Sequence, residues 1–413
     1  MSAMQKHHKA TIFALSLVIL IDSLTIGLVI PLFAALFNDP HGIMGATATM
    51  GERNFWYSMI FSLPMFAMLF GAPILGELSD RFGRKNILMF SLIGIVLSCL
   101  LSVVSLYMDS VLVLLISRIF VGLLDSSQAI AQAAILDISE GDEKVTNLSI
   151  ISFAGVIGWI IGPVLGGVLS DPHIVSWFSY ETPFWVASFL ALINIIWLTV
   201  AFKEISSLHH KPEQEWYTVI LYLFKNFVDR RIVLLSIGFV TMQFAWAAVF
   251  QISNLLLAEK FHYMAAKLGL FSTCIALTFA LVMLGGTKFL LRYFAITHLV
   301  KIGLFIVFAG MICMTFFNQD EIGLWLGVMP VIVGIAISYN TLITLFSNAV
   351  EKHEQGKVMG IVTSLVAIAW LLAGVYSGIM TSIDYTLTFA GLSVVSLAGC
   401  ITILFYKEKE KHT

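Results

Sequence analysis

The chain has 413 residues, 59% of them hydrophobic and only 12% charged, and its mean hydropathy is +0.94. A soluble domain carries roughly twice that charged fraction, so a water-facing surface cannot be assembled and lipid is the expected solvent. The net charge of −2 excludes a general binder of nucleic acid or other polyanions.

The first segment starts with Lys6, His7, His8 and Lys9 and continues into an apolar run. That run is too long for a secretory leader and lacks a small-residue cleavage site, so it reads as a membrane span. A spanning helix needs about 20 apolar residues. On that criterion the sequence predicts twelve, at 10–37, 54–76, 85–107, 110–138, 146–169, 182–202, 231–257, 267–290, 297–317, 322–348, 357–380 and 384–406. The expected fold class is an all-α integral membrane protein. Residues 203–230 divide it into six spans and six, giving a bundle over 1–202, a linker, and a bundle over 231–413. In the linker, Trp216, Ile220, Leu223 and Phe227 recur at helical spacing. An amphipathic surface helix and an ordinary charged connection both fit that pattern.

The basic residues set the orientation. The N-terminus, every second loop and the C-terminus hold most of the lysines and arginines, whereas the other loops hold only Arg53, Lys260 and Lys267. This places both termini in the cytoplasm, as an even number of spans also requires. The four cysteines, Cys99, Cys274, Cys313 and Cys400, lie inside apolar runs without metal-ligand spacing. They read as small core residues.

Between spans 2 and 3 lies "GELSDRFGRK" (Gly76–Lys85), which concentrates charge in an otherwise apolar region. Gly76 and Gly83 suit a tight turn and a close approach of backbones. Asp80 is expected to face the positive start of a neighbouring helix, while Arg81, Arg84 and Lys85 hold acids at other helix ends, with Asp137 as the partner. Such a cluster works as a conformational latch. The positive-inside rule alone accounts for Arg84 and Lys85, but not for Asp80 or the glycines.

Span 4 carries Arg118 and Asp125 seven residues apart, nearly on one helical face, with Gln128 and Gln132 extending the polar stripe. Asp22 lies near the middle of span 1. Charges at membrane depth are costly, which makes these three the coupling candidates. Span 5 places Gly158, Gly162 and Gly166 four apart beside Pro163 and Gly167, a face built for close helix packing. A shift of 212 residues lays Gly122 on Gly334, Gln128 on Asn340, Gly162 on Gly374 and Gly166 on Gly378. Two pseudo-symmetric six-helix bundles follow, the plan of a rocking secondary transporter.

The loop 2–3 stretch resembles the Gly-x-x-x-Asp-Arg-x-Gly-Arg-Lys signature of the major facilitator superfamily. The stretch "GPVLGG" in span 5 resembles the antiporter signature of that family's exporters, and Arg118 with Gly122 resembles its Arg-x-x-x-Gly motif. Over about residues 15–200 the chain is similar to tetracycline/proton antiporters. The family's loop 8–9 counterpart has decayed here to "GGTKFLLRYF", which keeps its bases and has no acid. The membrane acids of that family's spans 3 and 9 are also missing, Ser98 standing at the first, so tetracycline itself is not the expected substrate.

The resemblance implies a central cavity lined by spans 1, 4, 7 and 10. Its polar groups here are Ser23, Thr25, Gln128, Gln132, Gln243, Trp246, Gln251, Asn254, Tyr339, Asn340 and Thr344. Helix-to-helix hydrogen bonding is as good a reading of these as ligand contact.

The function expected is proton-coupled export of a small amphipathic or zwitterionic molecule. In this scheme Asp22 or Asp125 holds a proton or the substrate, but not both. A nutrient importer on the same fold is the alternative, and a non-transporting sensor is a further one. The phosphate-binding glycine loop, HExxH and nucleophile–base patterns of enzymes are absent from the sequence. The expected partners are the bilayer, the substrate and H+, with no cofactor, metal or nucleic acid. The expected form is a monomer in a bacterial inner membrane.

Overall fold

The computed structural model describes residues 3–139, 143–202, 230–350 and 355–406. Over these the chain is helical, without strands: α1 (Ala3–Asn38), α2 (Met50–Phe82), α3 (Arg84–Tyr107), α4 (Val111–Leu124), α5 (Ser127–Ile138), α6 (Glu143–Leu169) and α7 (Thr182–Ala201), followed by α8 (Arg230–Glu259), α9 (Ala265–Leu281), a π-helical turn (Val282–Gly286), α10 (Thr287–Leu290), α11 (Ile296–Phe317), α12 (Glu321–Ala349), α13 (Gln355–Met380) and α14 (Tyr385–Leu404). Taking α4–α5 and α9–α10 as one crossing each, twelve helices are long and apolar enough to span a membrane. The protein is a multi-pass membrane protein. The linker and its proposed amphipathic helix lie outside the described residues, except for Arg230, which opens α8.

Contacts divide the chain into two compact units. One comprises Met1–Ala48, Phe66–Glu213 and His262–Ala276; the other comprises Thr49–Met65, Gln214–Phe261 and Leu277–Thr413. Each therefore takes a segment from the other half of the sequence. The first half of α2 joins the second unit, and the greater part of α9 joins the first.

In the first unit α1 is the central helix, nearly all of its middle being buried. Its main partner is α6, and glycines make that contact possible. A Cβ on Gly166 would stand 1.8 Å from the Leu28 carbonyl oxygen, and one on Gly162 would meet the Gly27 Cα at 2.8 Å. Gly158 faces Leu20 and Leu24 in the same way. Gly167 and Pro163 turn to α9 instead, where Ala265 and Gly269 press against them backbone to backbone.

In the second unit α8 is central. There α13 lays Gly374 against Ser62 and Gly378 against Phe55 and Ser58 of α2. The seam is polar: the Tyr57 hydroxyl donates to the Gln251 carbonyl oxygen at 3.2 Å, and the Tyr385 hydroxyl donates to the Glu259 carboxylate. Gln251 is fully buried and neither polar atom of its side chain has a hydrogen-bond partner.

Candidate functional site

Span 4 is not continuous. α4 stops at Leu124, Asp125 turns extended (φ −79°, ψ 95°), Ser126 follows at φ −135°, ψ 12°, and α5 begins at Ser127. No proline or glycine causes this. Aspartate and serine compete with helical hydrogen bonding through their own side chains, and three in a row, Asp125-Ser126-Ser127, supply the break. The Asp125 N–H still donates to the Val121 carbonyl at 2.8 Å, closing α4, and α5 opens two residues later. The Ser126 hydroxyl lies 3.3 Å from that of Ser91 on α3.

The break turns Asp125 toward α1, where it and Asp22 line one cavity. Asp22 is 5% exposed, and its Oδ1 and the Thr25 hydroxyl have no hydrogen-bond partner among the described residues. A cavity of about 10 Å³ lies against Asp22, Thr25, Cys99, Arg118 and Asp125, with an aliphatic wall from α1, α3 and α4. That volume holds one water and excludes an organic substrate. Every group lining it belongs to the first unit.

Arg118 is buried beside this cavity and forms no direct ion pair among the described residues. Its guanidinium lies 5.7 Å from the centre of the Phe33 ring, a cation–π contact, and its charge acts on Asp125 and Cys99 through space.

The structure brings together Asp22, Thr25, Arg118 and Asp125 from the sequence-derived set. Cys99, Phe33 and the serines at 91, 126 and 127 join them unpredicted. Ser23 does not line this cavity: it packs on Gly155 and Gly158 of α6. Gln128 is exposed and Gln132 half-buried on α5.

In the second unit, Asn254 donates to the Phe250 carbonyl and Thr344 to the Asn340 carbonyl, so both side chains satisfy their own helices. Asn340 itself donates to the Met283 carbonyl in the π-helical turn, at 3.2 Å. Gln243 is buried. Trp246 packs edge-on against Phe279 (centroids 4.5 Å apart), and Phe279 lies 6.3 Å from Tyr339.

At the α2–α3 junction, Arg84 reaches Asp80 at 2.6 Å, Asp137 at 3.1 Å and the Ser79 hydroxyl at 2.7 Å. Arg81 pairs with Glu77, and Lys85 caps the end of α7 by donating to the Thr199 carbonyl at 2.8 Å. Gly83 alone makes the turn, with φ +96°. Gly76 is corrected: it lies inside α2, and a Cβ there would meet nothing. The helix persists to Phe82 because the charged segment can extend past the apolar core into water without unwinding.

The family model described as Major Facilitator Superfamily matches residues 12–374. The class H tetracycline resistance protein of Pasteurella multocida is 30% identical, over 47% of this chain and 44% of its own length. The class D tetracycline resistance protein of Salmonella ordonez is 25% identical over 97% of this chain and 98% of its own. Among solved structures, a D-xylose–proton symporter superposes with a TM-score of 0.74 at 14% identity, covering 98% of this chain and 97% of that one.

Proposed function

This chain belongs to the major facilitator superfamily, and from that premise we propose that it exports a small amphipathic cation or zwitterion in exchange for protons. One observation carries the reading: two carboxyl groups from different helices line one water-sized cavity together with an arginine. Two carboxyls brought together away from water favour a proton on one of them. The pair is the H+ site of this scheme, and with Arg118 nearby the protonated pair is electrically neutral overall.

Loss of that proton leaves two like charges beside one cavity, which repel. An ammonium group placed between the carboxylates would restore neutrality as the proton did. Proton and substrate thus compete for one pair of acids, the condition for exchange. The break in span 4 gives Asp125 a joint on which to separate from Asp22. Full-length similarity to a tetracycline resistance protein supports the outward direction. The asymmetry of lysine and arginine supports cytoplasmic termini in a bacterial inner membrane. Asp80, Asp137 and Arg84 act as the cytoplasmic latch.

Import is the second reading, favoured by Arg118 beside the acids, which suits the carboxylate of a zwitterion. The test uses purified protein in proteoliposomes with an imposed pH gradient, screening ligands that raise its melting temperature. An inside-acid gradient should drive uptake of the substrate against its concentration by exchange. Uptake driven instead by an outside-acid gradient identifies a symporter and overturns export.

A further inference from the structure

At the cytoplasmic end assigned above, the two units treat their cations differently. In the first, protein groups engage them: Glu77 on Arg81, Asp80 and Asp137 on Arg84, and the Thr199 carbonyl on Lys85. In the second, the segment from Thr287 to Lys301 carries Lys288, Arg292 and Lys301 and has no acid. Lys288 and Arg292 are exposed and make no ion pair among the described residues. The described carboxylates of 230–406 are Glu259, Asp320, Glu321 and Asp384, and alternation of the spans puts all four at the opposite membrane face.

Aromatic rings interleave these charges. Phe289 is 55% exposed and Tyr293 68%, and the two stack edge to face at 5.3 Å, with Phe294 beside them. Exposed rings at the end of a membrane helix belong at headgroup depth, where their faces meet acyl chains and their neighbouring cations meet phosphate. Cations on such a belt, without an ion-pair partner among the described residues, suit an anion supplied by the bilayer.

We infer that Lys288 and Arg292, with Phe289 and Tyr293, form a docking surface for the headgroup of an anionic phospholipid. The placement of that surface in the inner leaflet rests on the orientation proposed above. Cations serving topology alone would show no preference among headgroups, and that difference is measurable.

The full-length protein is reconstituted in phosphatidylcholine vesicles with or without phosphatidylglycerol, then released and analysed by native mass spectrometry for retained lipid. Phosphatidylglycerol is expected to remain bound in preference to phosphatidylcholine. The double variant Lys288→Gln/Arg292→Gln should weaken that binding about 30-fold, the combined effect of two cations at an anionic surface. The charge-preserving pair Lys288→Arg/Arg292→Lys should retain it, and Arg81→Gln should change it by less than about twofold because Glu77 already neutralises that charge. Equal retention of both lipids, or undiminished phosphatidylglycerol on the Gln/Gln variant, overturns the proposal. In a separate arm, Tyr293→Cys is labelled with an impermeant maleimide in vesicles of known sidedness. Reaction from the periplasmic side alone overturns the orientation and leaves the headgroup result standing.

Discussion

Asp22 of α1 and Asp125, at the joint between α4 and α5, line one cavity although 103 residues separate them in the chain. In the proposed scheme the pair shares a proton, so its two members should not be equivalent to a lone acid. Asp22→Asn keeps the size of the side chain but removes the carboxyl proposed to exchange H+. Proton release on substrate binding by detergent-purified protein should vanish, while ligand-free folding, read by thermal melting, persists. Unchanged proton release would remove Asp22 from the exchange.

Arg84 ties Asp137 to the α2–α3 junction, with both side chains partly exposed to water. Screening limits such a pair to about 1 kcal/mol, or about fivefold in a rate. Asp137→Asn should therefore change turnover in a substrate counterflow assay by about that factor and leave equilibrium ligand affinity alone. The swap Arg84→Asp/Asp137→Arg should restore part of the loss.

Two glycines of similar appearance in the sequence should behave in opposite ways. Gly166→Ala drives a methyl group onto the Leu28 carbonyl and should cost about 3 kcal/mol or prevent accumulation of folded protein. Gly76→Ala occupies open space inside a helix and should stabilise it by up to about 1 kcal/mol. Melting temperatures of the two variants decide both points.

The buried, unpartnered side chain of Gln251 carries the desolvation of a whole amide. Gln251→Met removes that cost at nearly constant volume and should raise stability by about 1–2 kcal/mol in a thermal melt. A fall in melting temperature would show that the amide is satisfied in the membrane.

Tyr180 lies in the loop before α7 and donates to Asp39 at 3.0 Å. Burial pushes its hydroxyl well above the ordinary tyrosine range, and the Asp39 and Asp171 carboxylates push the same way. The folded state favours the neutral phenol. Its contribution is complete below about pH 10, the unfolded value, and is lost progressively as pH rises beyond it. Tyr180→Phe should flatten the alkaline limb of a melting-temperature profile and leave the neutral region nearly unchanged in slope.

Hydropathy located all twelve spans, because bilayer thickness imposes a length that irregular sequence cannot imitate. The acids Asp22 and Asp125 were legible for the same reason: charge at membrane depth stands out against an apolar background. Their shared cavity was not, since it depends on the break at Asp125–Ser126. A tract without proline or glycine gives only a weak breaking signal, and Asp-Ser-Ser inside an apolar run was the one available. Gly76 was misread because glycine spacing suggested a turn where the helix continues unbroken. Ser23 was grouped with the polar lining on its span alone, yet its position on α1 turns it to α6. The exchanged segments Thr49–Met65 and His262–Ala276 have no local signature, as they reflect which partner each helix end finds.

The twelve residues of α5 form a rod about 18 Å long. One end starts two residues after Asp125 in the chain, and the other carries Asp137, held by Arg84. A stiff strut anchored at both extremities passes displacement rather than absorbing it. In the proposed scheme, whatever parts the two acids in the membrane interior should also strain the clasp at the far end, making deep protonation and surface release mechanically one event.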